Sequence, residues 1–182
     1  MTASKRYVLD SNVFIEAKNK YYSFSICPGF WTSLNRLTKL DRICSIDRVR
    51  KELIQPKSLG DRPPDLLSDW AEATTQDAMF KGTQDARVIT EYRRLLTWAF
   101  SQTQFSEKAK EDFAKVADAW LVAYASVNKL VVVMHEDFAG DAAKTIPIPN
   151  VCLEFNVSYV NSFEMLDELK VSFELKHGSV KG

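Results

Sequence analysis

The chain has little of what many catalytic and membrane proteins depend on. Among its 182 residues are two histidines, His135 and His177, too far apart to suggest a nucleophile–base–acid triad. Its three cysteines, Cys27, Cys44 and Cys152, are odd in number and widely separated. They show no paired metal-ligand spacing and no disulfide framework, and they fit a reducing cytoplasm as small core residues. No apolar run reaches the roughly 18 residues that cross a bilayer. No long apolar segment follows the basic pair Lys5-Arg6, so a secretory leader is not expected. Repeats and low-complexity tracts are absent, and formal net charge is zero. These absences point to a cytoplasmic protein without membrane contact. The length predicts one domain over 1–175, with a disordered tail at 176–182.

What is present is unevenly placed. Residues 1–60 hold eleven Lys or Arg against five Asp or Glu, a net +6 that the remainder balances. Such a basic third suits a polyanion, although solvated helix faces give the same count. The most informative stretch is Val116 to Asn128, Val-Ala-Asp-Ala-Trp-Leu-Val-Ala-Tyr-Ala-Ser-Val-Asn, in which Asp118 is the only carboxylate. The run is apolar nearly all round and reads as a buried helix. An ionised carboxylate is rarely buried without a partner, so an arginine, a helix N-terminus or a metal ion is expected near Asp118.

Two β-prone runs lead to further acids. Arg6-Tyr7-Val8-Leu9 ends on Asp10-Ser11-Asn12, and Val131-Val132-Val133-Met134 ends on His135-Glu136-Asp137. In a parallel α/β sheet the ends of such strands line the functional crevice. Two like charges about 4 Å apart, at an effective dielectric near 20, repel by roughly 4 kcal/mol. A hard divalent cation, Mg²⁺ or Mn²⁺, removes that repulsion.

Further elements follow from spacing and punctuation. Strands are expected at 6–10, 42–46, 129–134 and 157–160. Helices are expected from Asn12, with Ser11 or Asn12 as cap, and over 30–40. Another follows Asp47 as cap, and others cover 65–73, 83–100, 106–128 and 163–169, the last capped by Ser162. Lys18 to Cys27, 56–64 and 140–149 read as loops. Strands alternating with helices predict a three-layer α/β/α sandwich around a mainly parallel sheet of four or five strands.

The motifs in this order resemble the PIN-domain family of nucleases. Tyr7-Val8-Leu9-Asp10-Ser11-Asn12-Val13-Phe14-Ile15 is similar to its opening strand and turn. Val49-Arg50-Lys51-Glu52-Leu53 is similar to its glutamate-bearing helix. Ala117-Asp118-Ala119-Trp120-Leu121-Val122-Ala123 is similar to its Asp-x-x-Leu-x-Ala helix, and Val131 to Phe138 to its last acidic strand end. Ala17-Lys18-Asn19, Pro28-Gly29-Phe30-Trp31, Cys44-Ser45-Ile46-Asp47 and Ile148-Pro149-Asn150-Val151-Cys152 resemble a bacterial toxin-like branch, similar to VapC-type ribonucleases.

The resemblance implies hydrolysis of RNA phosphodiester bonds with Mg²⁺ or Mn²⁺, a cognate antitoxin as partner, and a homodimer. It implies Asp10 and Asp118 as direct ligands, with Glu52 and Glu136 completing the acidic set; Asp137 competes with Glu136 for the fourth place. Ser11, Asn12, Lys18, Tyr21 and Tyr22 are the substrate-contacting candidates. The chain departs from the pattern at Met134, where relatives carry a hydroxyl, and at Glu136, where many carry Asp. Two other readings compete. One is an inactive module of the same fold that binds RNA or protein. The other is a haloacid-dehalogenase-type phosphatase, which needs a second acid where this chain has Asn12, a residue unable to shuttle a proton.

Overall fold

A computed structural model of the chain describes residues 5–54, 65–74 and 76–174. The expected loop at 56–64 and the expected tail at 176–182 lie outside these residues. The chain runs β1 (Tyr7–Leu9), α1 (Ser11–Glu16), α2 (Pro28–Lys39), β2 (Ile43–Ile46), α3 (Asp47–Leu53), α4 (Leu66–Ala73), α5 (Gln76–Met79) and β3 (Phe80–Lys81). It continues through α6 (Ala86–Ser101), α7 (Glu107–Lys115), α8 (Asp118–Asn128), β4 (Val131–Val133), α9 (Ile148–Glu154), β5 (Tyr159–Val160) and α10 (Ser162–Glu168).

The sheet is parallel throughout, in the order β3-β2-β1-β4-β5. Tyr7, Val8 and Leu9 pair with Val131, Val132 and Val133 on one side, while Tyr7 and Val8 pair with Ile43 and Cys44 on the other. Central strands of a parallel sheet are covered on both faces, which is why β1 and β2 read as unbroken buried runs rather than alternating ones. The Ser45 hydroxyl meets its burial by donating to the Leu9 carbonyl at 2.6 Å.

From β1 the chain winds outward to β2 and β3, then returns past β1 to β4 and β5. Right-handed crossovers running in opposite directions put their helices on opposite faces. The packing agrees: α1 lies on α3, α3 on α4 and α2 on α5, whereas α8 packs with α6, α7, α9 and β4. The direction reverses between β1 and β4. In open parallel sheets that switch point is where the crevice forms.

Several expectations change. Lys18 to Cys27 is not all loop, because α1 runs on into a π-helical turn, Ala17–Tyr21. Asp10, not Ser11 or Asn12, is the N-cap of α1, its carboxylate accepting from the Asn12 N–H at 3.3 Å. Asp47 is not a cap; Ile46 holds that position, and Asp47 accepts from the Thr83 hydroxyl instead. Asn161 rather than Ser162 caps α10, in a capping box with Glu164. Three short elements were not expected, α5, β3 and α9. Pro149 in the first turn of α9 costs no hydrogen bond, so the prolines that suggested a loop are compatible with a helix start. The strand expected from Lys129 begins at Val131 because Lys129 takes a left-handed conformation, φ 56°, and closes α8.

The largest change is at 106–128, where one long helix was expected. The chain breaks at Val116, which is extended with ψ 174°. No glycine or proline marks the break. α7 is charged and lies at the surface, whereas α8 is apolar nearly all round and goes into the core. A single straight helix cannot do both.

Phe14 anchors the face of the sheet beneath α1. It is 0% exposed, with its ring 5.6 Å from Trp70 and 6.2 Å from Phe80. Phe14→Ala is expected to cost about 3–5 kcal/mol in urea unfolding, because the cavity is walled by rigid rings that collapse poorly. A loss under about 1 kcal/mol would show that this face repacks freely.

Candidate active site

Asp10 follows β1, and its backbone N–H donates to the Val133 carbonyl at 3.0 Å, so it sits at the switch point beside the end of β4. Its carboxyl is 1% exposed. Burial pushes it up to about 6, against the lowering effect of the Ser11 and Asn12 backbone N–H groups, and Glu136 and Glu52 add repulsion. The Ser11 hydroxyl lies 3.5 Å from Asp10 Oδ1, at the limit of a hydrogen bond.

Asp118 opens α8. The break at Val116 therefore places it in the first turn of the helix, not in the middle of a run. A helix N-terminus favours a negative charge. Even so, burial pushes the Asp118 carboxyl up to about 8, with further repulsion from Asp10, Glu136 and Glu52. Among the described residues no lysine, arginine or histidine forms an ion pair with it. Of the three partners expected for it, the start of a helix is present and an arginine is not found among these residues.

Glu52, on α3, and Glu136, after β4, are tied to helix starts. Glu52 Oε1 accepts from the Ala117 N–H at 3.0 Å, directly before Asp118. Arg48, one turn earlier on α3, lies over the Trp120 ring at 3.8 Å and donates to the Thr83 hydroxyl. Glu136 Oε2 accepts from the Ile148 N–H at 3.0 Å, at the start of α9. Among the described residues the second oxygen of each accepts no hydrogen bond. Asp118 is thus repelled by Asp10, Glu136 and Glu52, and Asp10 by Glu136 and Glu52, although the four lie far apart in sequence; Asp137 is exposed.

A groove of about 400 Å³ opens beside Asp118 and Glu136, walled by Phe113, Val116, Ile146 and Pro147 and rimmed by Asp137 and Lys144. Lys144 is exposed and forms no ion pair among the described residues. The Ser106 N–H pins this loop by donating to the Ala143 carbonyl, and Asn150 pins it by bonding both the N–H and the carbonyl of Ala139. Sequence reasoning did not single out Phe113, Ile146, Pro147 or Lys144 for this groove; only the approach of α7 to the 144–147 loop makes them one wall.

The other candidates are spread along the turn after α1. Lys18 Nζ is held 2.7 Å from Asp65 Oδ1. Tyr22 stacks on buried Phe30 with ring centroids 4.5 Å apart, and its carbonyl accepts from Trp31 Nε1. Tyr21 is exposed, and Asn12 is half-buried with its backbone N–H committed to Asp10.

Among the described residues, no three His, Cys, Asp or Glu side chains are gathered at metal-ligand spacing. The donor set nonetheless fits a hard cation. It is all oxygen, two of its carboxylates are buried and form no ion pair among the described residues, and Mg²⁺ commonly takes one or two carboxylates plus waters and phosphate oxygens.

The all-parallel sheet in the order 3-2-1-4-5, with helices on both faces, is a PIN-like α/β/α fold. The chain belongs to the family described as a domain of unknown function, DUF4411, whose model matches residues 7–173. Its structure is similar to a chain in "Structure of FitAB bound to IR36 DNA fragment", with TM-score 0.53 and 14% identity over 85% of this chain and 94% of that one. It also aligns with a chain in "Crystal structure of VapBC2 from Rickettsia felis bound to a DNA fragment from their promoter", with TM-score 0.48 and 15% identity over 85% and 97%. No protein of curated function matches the sequence. Among the described residues no helix is long and apolar enough to cross a membrane.

Proposed function

We propose that this protein is a divalent-metal-dependent endoribonuclease, a cytoplasmic toxin of a toxin–antitoxin pair folded as one domain. The observation that carries the reading is the pair Asp10 and Asp118. Two buried carboxyls, Asp118 repelled by Asp10 and neither with an ion-pair partner among the described residues, can be neutralised only by holding protons or by a cation, and a cation lets both ionise.

In this reading Asp10 and Asp118 hold Mg²⁺ or Mn²⁺, and Glu52 and Glu136 hold waters through their second oxygens. The ion lowers the pKa of a bound water and offsets charge on the phosphate. Ser11 and Asn12 border the phosphate at the start of α1. Glu52, through the Ala117 N–H, keeps the start of α8 and hence Asp118 facing the crevice. Lys144 supplies the free cation of the groove and draws in the strand. An antitoxin partner is part of the proposal, supported by the likeness in fold to a chain of the FitAB assembly, and a homodimer is proposed beside it.

The test is cleavage of mixed RNA in Mg²⁺ or Mn²⁺ with and without EDTA. Metal-dependent cleavage supports the reading. If the protein takes up neither ion in calorimetry, the nuclease falls and an RNA- or protein-binding module replaces it. Lys144→Ala is expected to raise KM a few-fold with kcat little changed. It should also reduce the slope of log affinity against log salt by about 0.7, the value for one contact to a single strand. An unchanged slope would remove Lys144 from the substrate path.

A further inference from the structure

Three rings from distant parts of the chain meet at the end of the sheet that carries the acids. Tyr21 closes the π-helical turn after α1, His135 directly precedes Glu136, and Phe163 lies in the first turn of α10. Tyr21 and Phe163 are 47% and 44% exposed, well above what rings of their size show in a core. Their centroids are 5.2 Å apart with planes at 79°, while His135 lies 6.3 Å from Tyr21 and 6.0 Å from Phe163.

This corner is backed by the core. Tyr22 lies 6.3 Å from Phe163 and stacks on Phe30, which is fully buried. The rings are therefore held in place before any ligand arrives. The same turn carries Lys18 and Lys20, and among the described residues Lys20 forms one ion pair, an exposed one with Glu16 of a kind worth little in water. Exposed, fixed rings beside basic residues suit an unpaired nucleobase, which stacks on any ring face whatever its sequence.

We propose that Tyr21, His135 and Phe163 form a stacking corner for one unpaired base of the RNA strand whose phosphate lies at Asp10 and Asp118. The inference rests on the nuclease reading and narrows its substrate to single-stranded or looped RNA. A base laid flat on Tyr21 meets Phe163 at its edge. A paired base cannot enter, because its faces are already covered by its neighbours. Tyr22, turned into the core, backs the corner and does not touch the base.

The test is binding of a labelled ten-nucleotide single-stranded RNA in Ca²⁺, read by anisotropy, with each base in turn replaced by an abasic site. Tyr21→Ala and Phe163→Ala are each expected to weaken binding about 5- to 100-fold, and Tyr21→Phe less than about 2-fold. One abasic position should weaken the wild type and leave the two alanine variants unaffected. Variants that bind like wild type, or that lose as much as wild type at every abasic position, overturn the corner. So does a Tyr21→Ala protein that keeps RNA affinity but loses a co-purifying protein partner, since the rings then serve that partner. Metal-dependent cleavage is measured in parallel. Cleavage with unchanged KM in both alanine variants sinks the corner and leaves the nuclease standing, whereas ring-dependent binding without cleavage by the wild type does the reverse.

Discussion

Asp118→Asn is expected to abolish metal-dependent cleavage and, at the same time, to make the metal-free protein more stable. The loss of activity should be on the order of 10³-fold, comparable to removing a principal electrostatic group from an active site. The gain in stability has a separate cause. At pH 7 the Asp118 carboxyl, pushed up to about 8, is mostly protonated in the fold although it would ionise freely in the unfolded chain. Asn needs no proton and keeps the shape. Relief of about 1–3 kcal/mol is expected, a rise of several degrees in Tm for a chain of this size. Asp10→Asn should behave similarly, since Asn caps α1 about as well as Asp. Thermal melts in EDTA beside cleavage assays check both halves. A variant that loses activity and stability together would make Asp118 a structural residue, with a cation outside the described residues as its partner.

The pH dependence of the metal-free protein should run opposite to ordinary acid denaturation across the same window. Both buried carboxyls are raised in the fold, Asp10 to about 6 and Asp118 to about 8. Between the unfolded value near 4 and these folded values, the folded chain binds more protons than the unfolded one. Stability is then fully present below about pH 4 for these groups and is lost as pH rises through 6 and 8. Each group removes up to about 1.4 kcal/mol per pH unit while it is protonated only in the fold. Tm in EDTA is expected to fall from pH 5 to pH 8.5. Mg²⁺ should flatten or reverse the trend, because it binds the ionised pair and its affinity grows as protons leave. In Asp118→Asn the decline above pH 6 should disappear. A Tm that climbs steadily from pH 5 to pH 8 in EDTA would mean that the two carboxyls are not buried together.

Asp10 does cap α1, and Glu52 and Glu136 do satisfy backbone N–H groups. Capping explains why an acid stands at each place. It does not explain why Asp118 is buried next to three others, since a cap needs only one carboxylate and a helix start exposed to water serves it best.

The alternation of strands with helices, and the elements on which the candidate acids stand, were legible in the residues alone. β-branched runs that end on an acid, and an apolar helix with a single carboxylate, express local propensities and spacing that need no partner to interpret. What stayed hidden depended on contacts between segments far apart in sequence. Val116 has no sequence feature that breaks a helix; α8 leaves the line of α7 because its apolar surface has to be buried, and Glu52, 65 residues earlier, accepts the freed Ala117 N–H. β3 is two residues long and exists only because Ser45 and Ile46 offer an edge to pair with. Lys18 and Tyr22 looked alike as loop residues, yet one is held by Asp65 and the other by Phe30, while Tyr21 between them remains at the surface. By itself, the sequence determined which carboxylates this protein has and which elements bear them. Only the tertiary structure decided which of them meet, because burial and charge repulsion act through space rather than along the chain.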